Sequence, residues 1–396
     1  MVLVIGAALT PFNRRRDGSG FRDWATQAFG DALQMAGLEP CDIDALIVSS
    51  ESDFFTLQLN PASVLAQDLG LCGAATLRVE GGGGSGQYAV HAGVERILSG
   101  RAQRVAVLGV DPSASALDGD SIRDLYGYSF EFWTDGLSGV TATGLYALSW
   151  QAFAAEYGAA GADLDRVATK NRLNACENPG AHLPRKHSAA EFEGSPVIAS
   201  PYKRLHCSPL SDGAAALILS APEAAPAERQ TRAPKITGIG AASDLPGLGH
   251  RESPGRFEAK ARAADRAFQM AGISALDIDL AEVYDAYAGA ELQAVAALGL
   301  STDPIAALRD GRFDADGACP VNLSGGLIGQ GAPVGATGVG QAATCALLLE
   351  GRYHRGLQPE RPLRHALADT HGGVGTSCAV TVLRAGGGRH ETSGVA

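Results

Sequence analysis

The run Val-Glu-Gly-Gly-Gly-Gly-Ser-Gly at residues 79–86 has the composition of a sharp turn that can hold a reactive group. An apolar β-like run at residues 74–79 enters it, and an amphipathic helical pattern at residues 88–98 follows. Many α/β enzymes hold a nucleophile at such a strand-to-helix turn, because the turn exposes one side chain and the helix N-terminus stabilises negative charge. This turn contains no cysteine, and Ser85 carries its only hydroxyl. The sequence therefore predicts an enzyme-like framework without the expected nucleophile.

Two further segments carry side chains that transfer protons or donate hydrogen bonds. His371 precedes a Gly-Gly pair at a predicted strand-to-turn junction, where it is either a general acid/base near neutral pH or a histidine bonded to a nearby loop. Tyr284, Asp285 and Tyr287 lie together at residues 282–288. A phenol such as Tyr284 can donate to an oxyanion, or shuttle a proton if its pKa is lowered. Tyr287 is expected chiefly to pack, and Asp285 either holds the turn or acts chemically.

Composition limits the classes of partner. The chain has 396 residues, 45% of them hydrophobic and 19% charged, as in an ordinary globular protein. Its net charge of −11 makes nucleic acid a poor partner. No apolar run reaches the ~18–20 residues of a membrane span, and we expect neither a signal peptide nor a membrane location. The seven scattered cysteines lack CxxC spacing, which predicts a cytoplasmic protein with no metal site and no disulfide framework.

An internal repeat is the strongest architectural signal. Gln-Met-Ala-Gly at residues 34–37 recurs at residues 269–272, and Asp-Ile-Asp at 42–44 recurs at 277–279, both at an offset of 235 residues. Ile-Gly-Ala-Ala at residues 5–8 recurs at 239–242. Short identities in the same order at a near-constant offset indicate a duplication, with βαβ-rich halves and buried strands.

The duplication and the pattern breaks predict the domain organisation. Residues 1–110 and 206–222 form the first half, and residues 233–386 form the second. Residues 111–205, rich in aromatic side chains, are an insertion that covers the site. Residues 387–396 are a polar tail that we expect to be flexible.

Three motifs carry a resemblance to a known family. Ser-Asp-Gly-Ala-Ala-Ala at residues 211–216, Gly-Ala-Pro-Val-Gly-Ala-Thr-Gly at 331–338 and His-Gly-Gly-Val-Gly at 371–375 together resemble the thiolase superfamily, in particular the sterol-carrier-protein-type thiolases. The resemblance covers residues 2 to about 383. It implies an α/β thiolase fold, which is a duplicated five-layered αβαβα architecture with an inserted loop domain, and usually a homodimer.

The resemblance also shows where this chain departs from the family. Gly83 stands where the family has its nucleophilic cysteine, and Ala332 where the family has the histidine that activates it. Either His371 or Thr370 takes the place of the cysteine that moves a proton at the substrate α-carbon. Tyr284 matches the Asn or His that helps to bind the thioester-carbonyl water. By the same resemblance, substrate or oxyanion contacts are expected at Gly83, Ser85, Gly331, Ala332, Gly373 and Gly375, and catalytic roles at Tyr284, His371, Tyr287 and Asp285.

These departures favour a reaction that needs an enolate but no acyl-enzyme, since a glycine forms no thioester. The resemblance to cysteine-lacking thiolase-like aldolases implies retro-aldol cleavage of a 3-hydroxyacyl-CoA in the breakdown of steroid or other side chains. Coenzyme A would then be part of the substrate, with no covalently bound cofactor. An OB-fold/zinc-ribbon acyl-CoA-binding protein is the implied partner. Two alternatives stay open: a non-catalytic scaffold subunit of a heteromeric complex, and an acyltransferase with an unrecognised nucleophile.

Overall fold

The computed structural model describes residues 1–71 and 73–387 of the protein. The predicted flexible tail, residues 387–396, lies outside the described residues except for its first member. Within the described chain, no helix is both long enough and apolar enough to cross a membrane.

The elements follow the order that the sequence pattern predicts. The strands are β1 Val2–Leu9, β2 Ala45–Ser49, β3 Ala75–Val79, β4 Arg104–Pro112, β5 Val197–Ala199, β6 Tyr202–Lys203, β7 Asp212–Ser220, β8 Lys235–Ser243, β9 Leu280–Glu282, β10 His365–Gly372 and β11 Ser377–Arg384. The helices are α1 Phe21–Ala36, α2 Asp53–Thr56, α3 Pro61–Asp68, α4 Ser85–Leu98, α5 Gly119–Tyr126, α6 Ala142–Tyr157, α7 Gly161–Cys176, α8 Ala189–Glu193, α9 Ala227–Arg232, α10 Glu258–Ala271, α11 Ala288–Ala297, α12 Pro304–Arg309, α13 Gly326–Gly329 and α14 Val334–Glu350.

The sheet topology confirms the duplication. In the described residues one nine-stranded sheet runs in the order β3-β2-β4-β7-β1-β8-β11-β10-β9. The order is mirrored about the antiparallel β1–β8 pair, so that β2 and β9, β4 and β10, and β7 and β11 are counterparts. Val321 extends the second half by a parallel bridge to Ala281 of β9, as β3 extends the first half by pairing in parallel with β2.

The packing of the helices gives the five predicted layers. Helices α4 and α14 contact strands of both halves and therefore lie between them. Helix α1 packs on β7 and β1, whereas α10 packs on β8 and β11, on the two outer faces. Glycine allows these outer helices to approach closely, since a Cβ at Gly6 would lie 2.0 Å from the Ala32 carbonyl oxygen, and one at Gly240 would lie 2.0 Å from that of Ala263.

The predicted insertion contains α5 to α8 and the short β5–β6 pair, and it packs mainly on the second half. Trp150 and Phe153 of α6 share a core cluster with Phe257 beside α10 and with Leu292 of α11. This packing holds α6 beside the end of β10, where the candidate site lies. Because β2, β3 and β4 are parallel, their carboxyl ends meet at one edge, and the glycine turn after β3 opens there.

Candidate active site

A cavity of about 300 Å³ lies where the glycine turn, the end of β10 and the insertion meet. It gathers six of the residues expected from the sequence, namely Gly83, Tyr284, Tyr287, Ala332, His371 and Gly373, and adds Glu51, Tyr126 and Tyr146. A larger groove of about 780 Å³ beside α12 is an open depression of the surface. It contains no residue of the predicted site, so we assign the chemistry to the smaller cavity.

The hydroxyl of Tyr284 occupies the space that a side chain at the glycine turn would need. A Cβ added at Gly83 would lie 2.6 Å from Tyr284 Oη and 2.5 Å from the His371 carbonyl oxygen. Such distances are below van der Waals contact, so a cysteine cannot enter this turn unless both Tyr284 and the His371 carbonyl move. A phenol from the loop between β9 and α11 thus occupies the place of the missing nucleophile.

Tyr284 is a hydrogen-bond donor at neutral pH. Burial raises its pKa far above the ordinary value for a phenol, and the nearby Glu51 charge adds to the shift. Of the two roles that the sequence allowed for this phenol, the raised pKa therefore favours donation to an oxyanion over proton shuttling. In the described part of the chain its hydroxyl makes no hydrogen bond to protein, while its ring packs edge-on against His371 at 4.8 Å between centroids. The phenol O–H is thus left for a ligand.

His371 is held as a neutral imidazole with both nitrogens engaged. Its Nδ1 lies 3.0 Å from Lys260 Nζ, and its Nε2 lies 2.8 Å from Tyr146 Oη. Because an ammonium only donates, Nδ1 accepts and Nε2 carries the proton. Burial lowers the pKa of His371 well below its usual value, and the charges of Lys260 and Arg251 lower it further. The expectation of a general acid/base titrating near neutral pH is therefore wrong for this residue. The alternative of a bonded histidine fits better, although its partners lie on helices α10 and α6 and not in a nearby loop.

Glu51 is the site residue that sequence reasoning missed and that titrates closest to neutral pH in this cavity. Burial raises its pKa to about 8, with a further contribution from the carboxylate of Asp111. Tyr126 donates a hydrogen bond to its Oε2 at 3.0 Å. One signal was available in the sequence, since Glu51 closely follows the buried strand β2 at the edge where parallel strands place functional side chains.

The other predicted site residues shape the surroundings of the cavity. Ser85 Oγ donates to the Gly82 carbonyl at 2.6 Å and accepts from the Gly81 amide at 2.9 Å, so it is occupied within the turn. Tyr287 lines the cavity wall, where its hydroxyl lies 3.0 Å from Thr143 Oγ1 and its ring packs on Tyr146 at 4.5 Å.

Asp285, Gly331 and Gly375 are not part of the cavity lining. Asp285 is fully buried and accepts hydrogen bonds from Asn171 Nδ2 at 2.7 Å and from the Leu327 amide at 2.6 Å. It therefore holds the turn, which is the first of the two interpretations that the sequence allowed. Gly331 and Gly375 have φ of +116° and +66°, so they form tight turns next to the cavity.

The comparisons with known proteins agree with this fold. Residues 2–186 match the family model described as thiolase, N-terminal domain, and residues 240–385 match the one described as thiolase C-terminal domain-like. The chain belongs to the thiolase superfamily. It is also 26% identical to rabbit (Oryctolagus cuniculus) sterol carrier protein 2 over 97% of this chain and 72% of that protein. With that similarity, it is a member of the sterol-carrier-protein-2-like group, as its motifs predicted.

Individual relatives carry different names. A protein of Methanothermobacter thermautotrophicus named acetyl-CoA acetyltransferase is 34% identical over 96% of this chain and 99% of its own length. The benzoylsuccinyl-CoA thiolase subunit BbsB of Thauera aromatica is 27% identical over 94% of each chain. The solved structure described as "Ltp2-ChsH2(DUF35) aldolase" superposes with a TM-score of 0.83 at 22% identity, over 97% of both chains. At 22% identity, the similarity to this aldolase structure shows that the fold is shared.

Proposed function

We propose that this protein is a thiolase-fold aldolase that cleaves the Cα–Cβ bond of a 3-hydroxyacyl-CoA thioester. The observation that carries the proposal is the Tyr284 hydroxyl, which fills the space beside Gly83 where a nucleophile's side chain would extend. A site with a protonated phenol in that space has lost the means to form an acyl-enzyme, but it has gained a donor for a thioester enolate.

The proposed reaction uses one acid–base group and one oxyanion donor. The Glu51 carboxylate accepts the proton of the substrate's 3-hydroxyl group. The Cα–Cβ bond then breaks, its electron pair moves onto the thioester as an enolate, and the 3-carbon leaves as a ketone or aldehyde. Tyr284 donates to the enolate oxygen. Glu51, now protonated, returns the proton to the α-carbon, so protons balance and a shortened acyl-CoA remains.

The pKa of about 8 for Glu51 suits this double role. A group with a pKa near the working pH is populated in both protonation states, so it can serve as base and then as acid. Tyr126 donates to the same carboxylate and orients it, while Tyr287 and Tyr146 form the wall beside it.

The relatives support two candidate reactions. One structural neighbour is described as an aldolase, whereas the relative at 34% identity is named an acetyltransferase. Acyl transfer is the second candidate, and that name is what favours it. The thiols next to the site argue against acyl transfer, because burial raises the pKa of both Cys207 and Cys378 to about 12. Thiols with such pKa values are poor nucleophiles at neutral pH.

We further propose that the protein works with an acyl-CoA-binding partner of the OB-fold/zinc-ribbon type and forms a homodimer. The names of two similar proteins support the partner, since one is a two-component aldolase with a DUF35 member and the other a thiolase subunit. The homodimer follows from the resemblance to thiolases. Coenzyme A enters as part of the substrate, and the chemistry above needs no covalently bound cofactor. A scaffold role without catalysis is the outcome if the assay below fails.

The test is an assay with a panel of 3-hydroxyacyl-CoAs, including one with a tertiary hydroxyl beside a ring, with and without an OB-fold partner. Mass spectrometry would follow the ketone or aldehyde and the shortened acyl-CoA. We expect Tyr284→Phe to lower kcat by about 10²–10³-fold, as for other oxyanion donors, and Glu51→Gln by about 10²–10⁴-fold. The matched control is Tyr88→Phe, which removes a phenol oxygen that contacts the Cys378 carbonyl outside the cavity.

Three results would overturn the proposal. Cleavage that survives both variants removes Tyr284 and Glu51 from the mechanism. Acetyl transfer between CoA thioesters without cleavage assigns the acyltransferase. Inactivity across the panel, with folded protein and the partner present, assigns the scaffold.

A further inference from the structure

Lys260 is a fully buried cation that the proposed reaction does not use. It lies on α10 among the buried residues Ala259, Ala263 and Ala264, and its side chain has 0% exposure. Burying an ammonium is costly unless it is paired and hydrogen-bonded. The contacts of Lys260 must therefore explain how a charged side chain is accommodated among alanines on an apolar helix face.

Those contacts run directly to the candidate site. Lys260 Nζ forms a short ion pair with Asp369 and donates to His371 Nδ1 at 3.0 Å. Asp369 and His371 are two residues apart on β10, so both side chains point to the face covered by α10. The other carboxylate oxygen of Asp369 is buried without a hydrogen-bond partner among the described residues. Asp369 thus lacks part of the hydrogen bonding expected of a purely structural ion pair, whereas Lys260 also bonds to His371.

The hydrogen bonds beyond Lys260 have a single consistent direction. With Nδ1 accepting from Lys260, His371 Nε2–H donates to Tyr146 Oη at 2.8 Å. The Tyr146 hydroxyl in turn donates to the Gly373 carbonyl at 2.7 Å. The hydroxyl proton of Tyr146 therefore points away from the cavity. Its oxygen lines the cavity and offers a lone pair to a ligand.

We propose that Lys260 is a positioning residue that fixes the His371 tautomer and thereby makes Tyr146 a hydrogen-bond acceptor, so that the cavity selects a 3-hydroxyacyl over a 3-oxoacyl thioester. This inference rests on the proposed function and names the feature of the substrate that the site recognises. In the bound ground state a 3-hydroxyl group can donate to the Tyr146 oxygen, and rotation about its C–O bond then turns the same proton to Glu51 for the reaction. A 3-oxo group brings only lone pairs to the same place and leaves that acceptor unpaired, which is the kind of mismatch that discriminates strongly in a buried site.

Removing the Lys260 ammonium would allow His371 to adopt the other tautomer. His371 Nδ1 could then carry the proton and donate to Asp369, while Nε2 would accept from Tyr146, and the Gly373 carbonyl would lose its donor. The charged and titratable groups around the ring are Lys260 on α10, Asp369 on β10, Arg251 before α10, Tyr146 on α6, Tyr284 after β9, and Cys378, which faces His371 across the β10–β11 pair. Of these, Lys260 donates to the Nδ1 atom.

The first measurement is the tautomer itself, read from the ¹⁵N shifts of histidine-labelled protein without any substrate. The chain has nine histidines, so His371→Gln identifies the signal of interest. We expect protonated Nε2 and unprotonated Nδ1 in the wild type, and protonated Nδ1 in Lys260→Met. The double variant Lys260→Met/Asp369→Asn leaves no unpaired buried charge, so it keeps the test available if the single variant folds poorly.

The second measurement is equilibrium binding of matched 3-hydroxyacyl- and 3-oxoacyl-CoA of one chain length, in a cleavage-inactive Glu51→Gln background. We expect the wild-type preference for the hydroxy compound to fall about tenfold or more with either Lys260 variant. Lys170→Met is the matched control, because it removes a buried lysine that pairs with Glu291 at 3.1 Å outside the cavity.

An unprotonated Nε2 in the wild type, or a ligand preference that the Lys260 variants leave unchanged, would overturn the inference. Failure of the aldolase itself gives a different pattern. If neither thioester binds, the proposed function falls, and the tautomer measurement still decides whether Lys260 sets the state of His371.

Discussion

At the scale of single residues, the presence of Tyr284 requires a glycine at position 83. The Tyr284 hydroxyl would lie 2.6 Å from a Cβ at position 83, so the turn can present a reactive side chain or the loop after β9 can present its phenol, but not both. A change of chemistry within this fold therefore needs changes at two positions that are far apart in sequence.

The pH dependence of the reaction provides a prediction for Glu51. As a base it must be ionised, so kcat/KM should rise with pH up to the Glu51 pKa of about 8 and level off above it. Asp111 is ionised above its own pKa of about 6, and its charge raises the pKa of Glu51. We expect Asp111→Asn to move the rising limb of the profile to lower pH, while leaving its plateau largely unchanged.

Glu80→Gln is the control for that shift. Glu80 also raises the pKa of Glu51, but its effect is smaller than those of burial and Asp111, and it lies in the exposed part of the turn. Its removal should move the profile less than Asp111→Asn does. A limb that stays in place in Asp111→Asn, or moves to higher pH, would show that Glu51 is not the titrating base.

Sequence patterns could identify Tyr284 and His371 as site residues, but not their protonation states or their partners. The Tyr146–His371 contact joins residues 225 apart in the chain, and the Lys260–His371 contact joins residues 111 apart. No periodicity connects such positions, because it is the crossing of α6 and α10 with β10 that brings them together. A proton-transfer role depends on that environment, which is why the predicted titration of His371 was wrong.

At the scale of elements, local patterns were sufficient for much of the fold. Strand β3 lies within the apolar run at residues 74–79, and helix α4 contains the amphipathic pattern at residues 88–98. Gly37 ends helix α1 in a left-handed conformation at φ 68°, and strand β2 is buried throughout. Helix α13 and the short β9 were harder to predict, because a four-residue helix and a three-residue strand carry no reliable periodicity.

The crossing of α4 and α14 supports a prediction about glycine. A Cβ at Gly86 would lie 2.6 Å from Gly338 Cα and from the Val339 nitrogen, so the two central helices touch backbone to backbone there. We expect Gly86→Ala to lower the free energy of unfolding by about 1–3 kcal/mol or more, since neither backbone can move without the sheet packed on it. Urea unfolding measures this loss.

Gly30→Ala is the matched control for that substitution. Gly30 lies in the exposed face of α1, and a Cβ there would meet nothing within 4 Å. The same change should therefore stabilise the protein by about 0.5–1 kcal/mol, which is the helix-propensity difference between alanine and glycine. Equal effects of the two substitutions would contradict the close approach of α4 and α14.

At the scale of the whole molecule, the mirrored strand order explains why one half cannot make the site alone. The first half supplies Glu51 and the glycine turn, the second supplies Tyr284 and His371, and the insertion supplies Tyr126 and Tyr146. The short repeats in the sequence were enough to predict two related halves. They could not predict which ends would meet, because the β1–β8 junction that joins the halves is set by tertiary packing.

Two acids with raised pKa values predict how the stability of the protein depends on pH. Burial raises the pKa of Glu51 to about 8 and that of Glu282 to about 7, whereas an unfolded glutamate titrates near 4.3. Between these values the folded protein holds protons that the unfolded chain releases, so this stabilisation is complete below the unfolded pKa and is lost as pH rises through the folded one. Burial lowers the pKa of His91 to about 4, which gives the opposite slope, but only below about pH 6.5.

The window from pH 6.5 to 7.5 therefore isolates the acids, since it also ends below the pKa of about 8.5 of an unfolded thiol. We expect the free energy of unfolding, from urea titrations at three pH values, to fall by about 1–2 kcal/mol across it. Glu51→Gln should flatten this slope, because a glutamine at the same place carries no proton to lose. Glu95→Gln, at an exposed position on α4, should leave the slope as it is. A stability that rises with pH in this window would mean that Glu51 is ionised at neutral pH, and the double role of this residue as base and acid would then have to be abandoned.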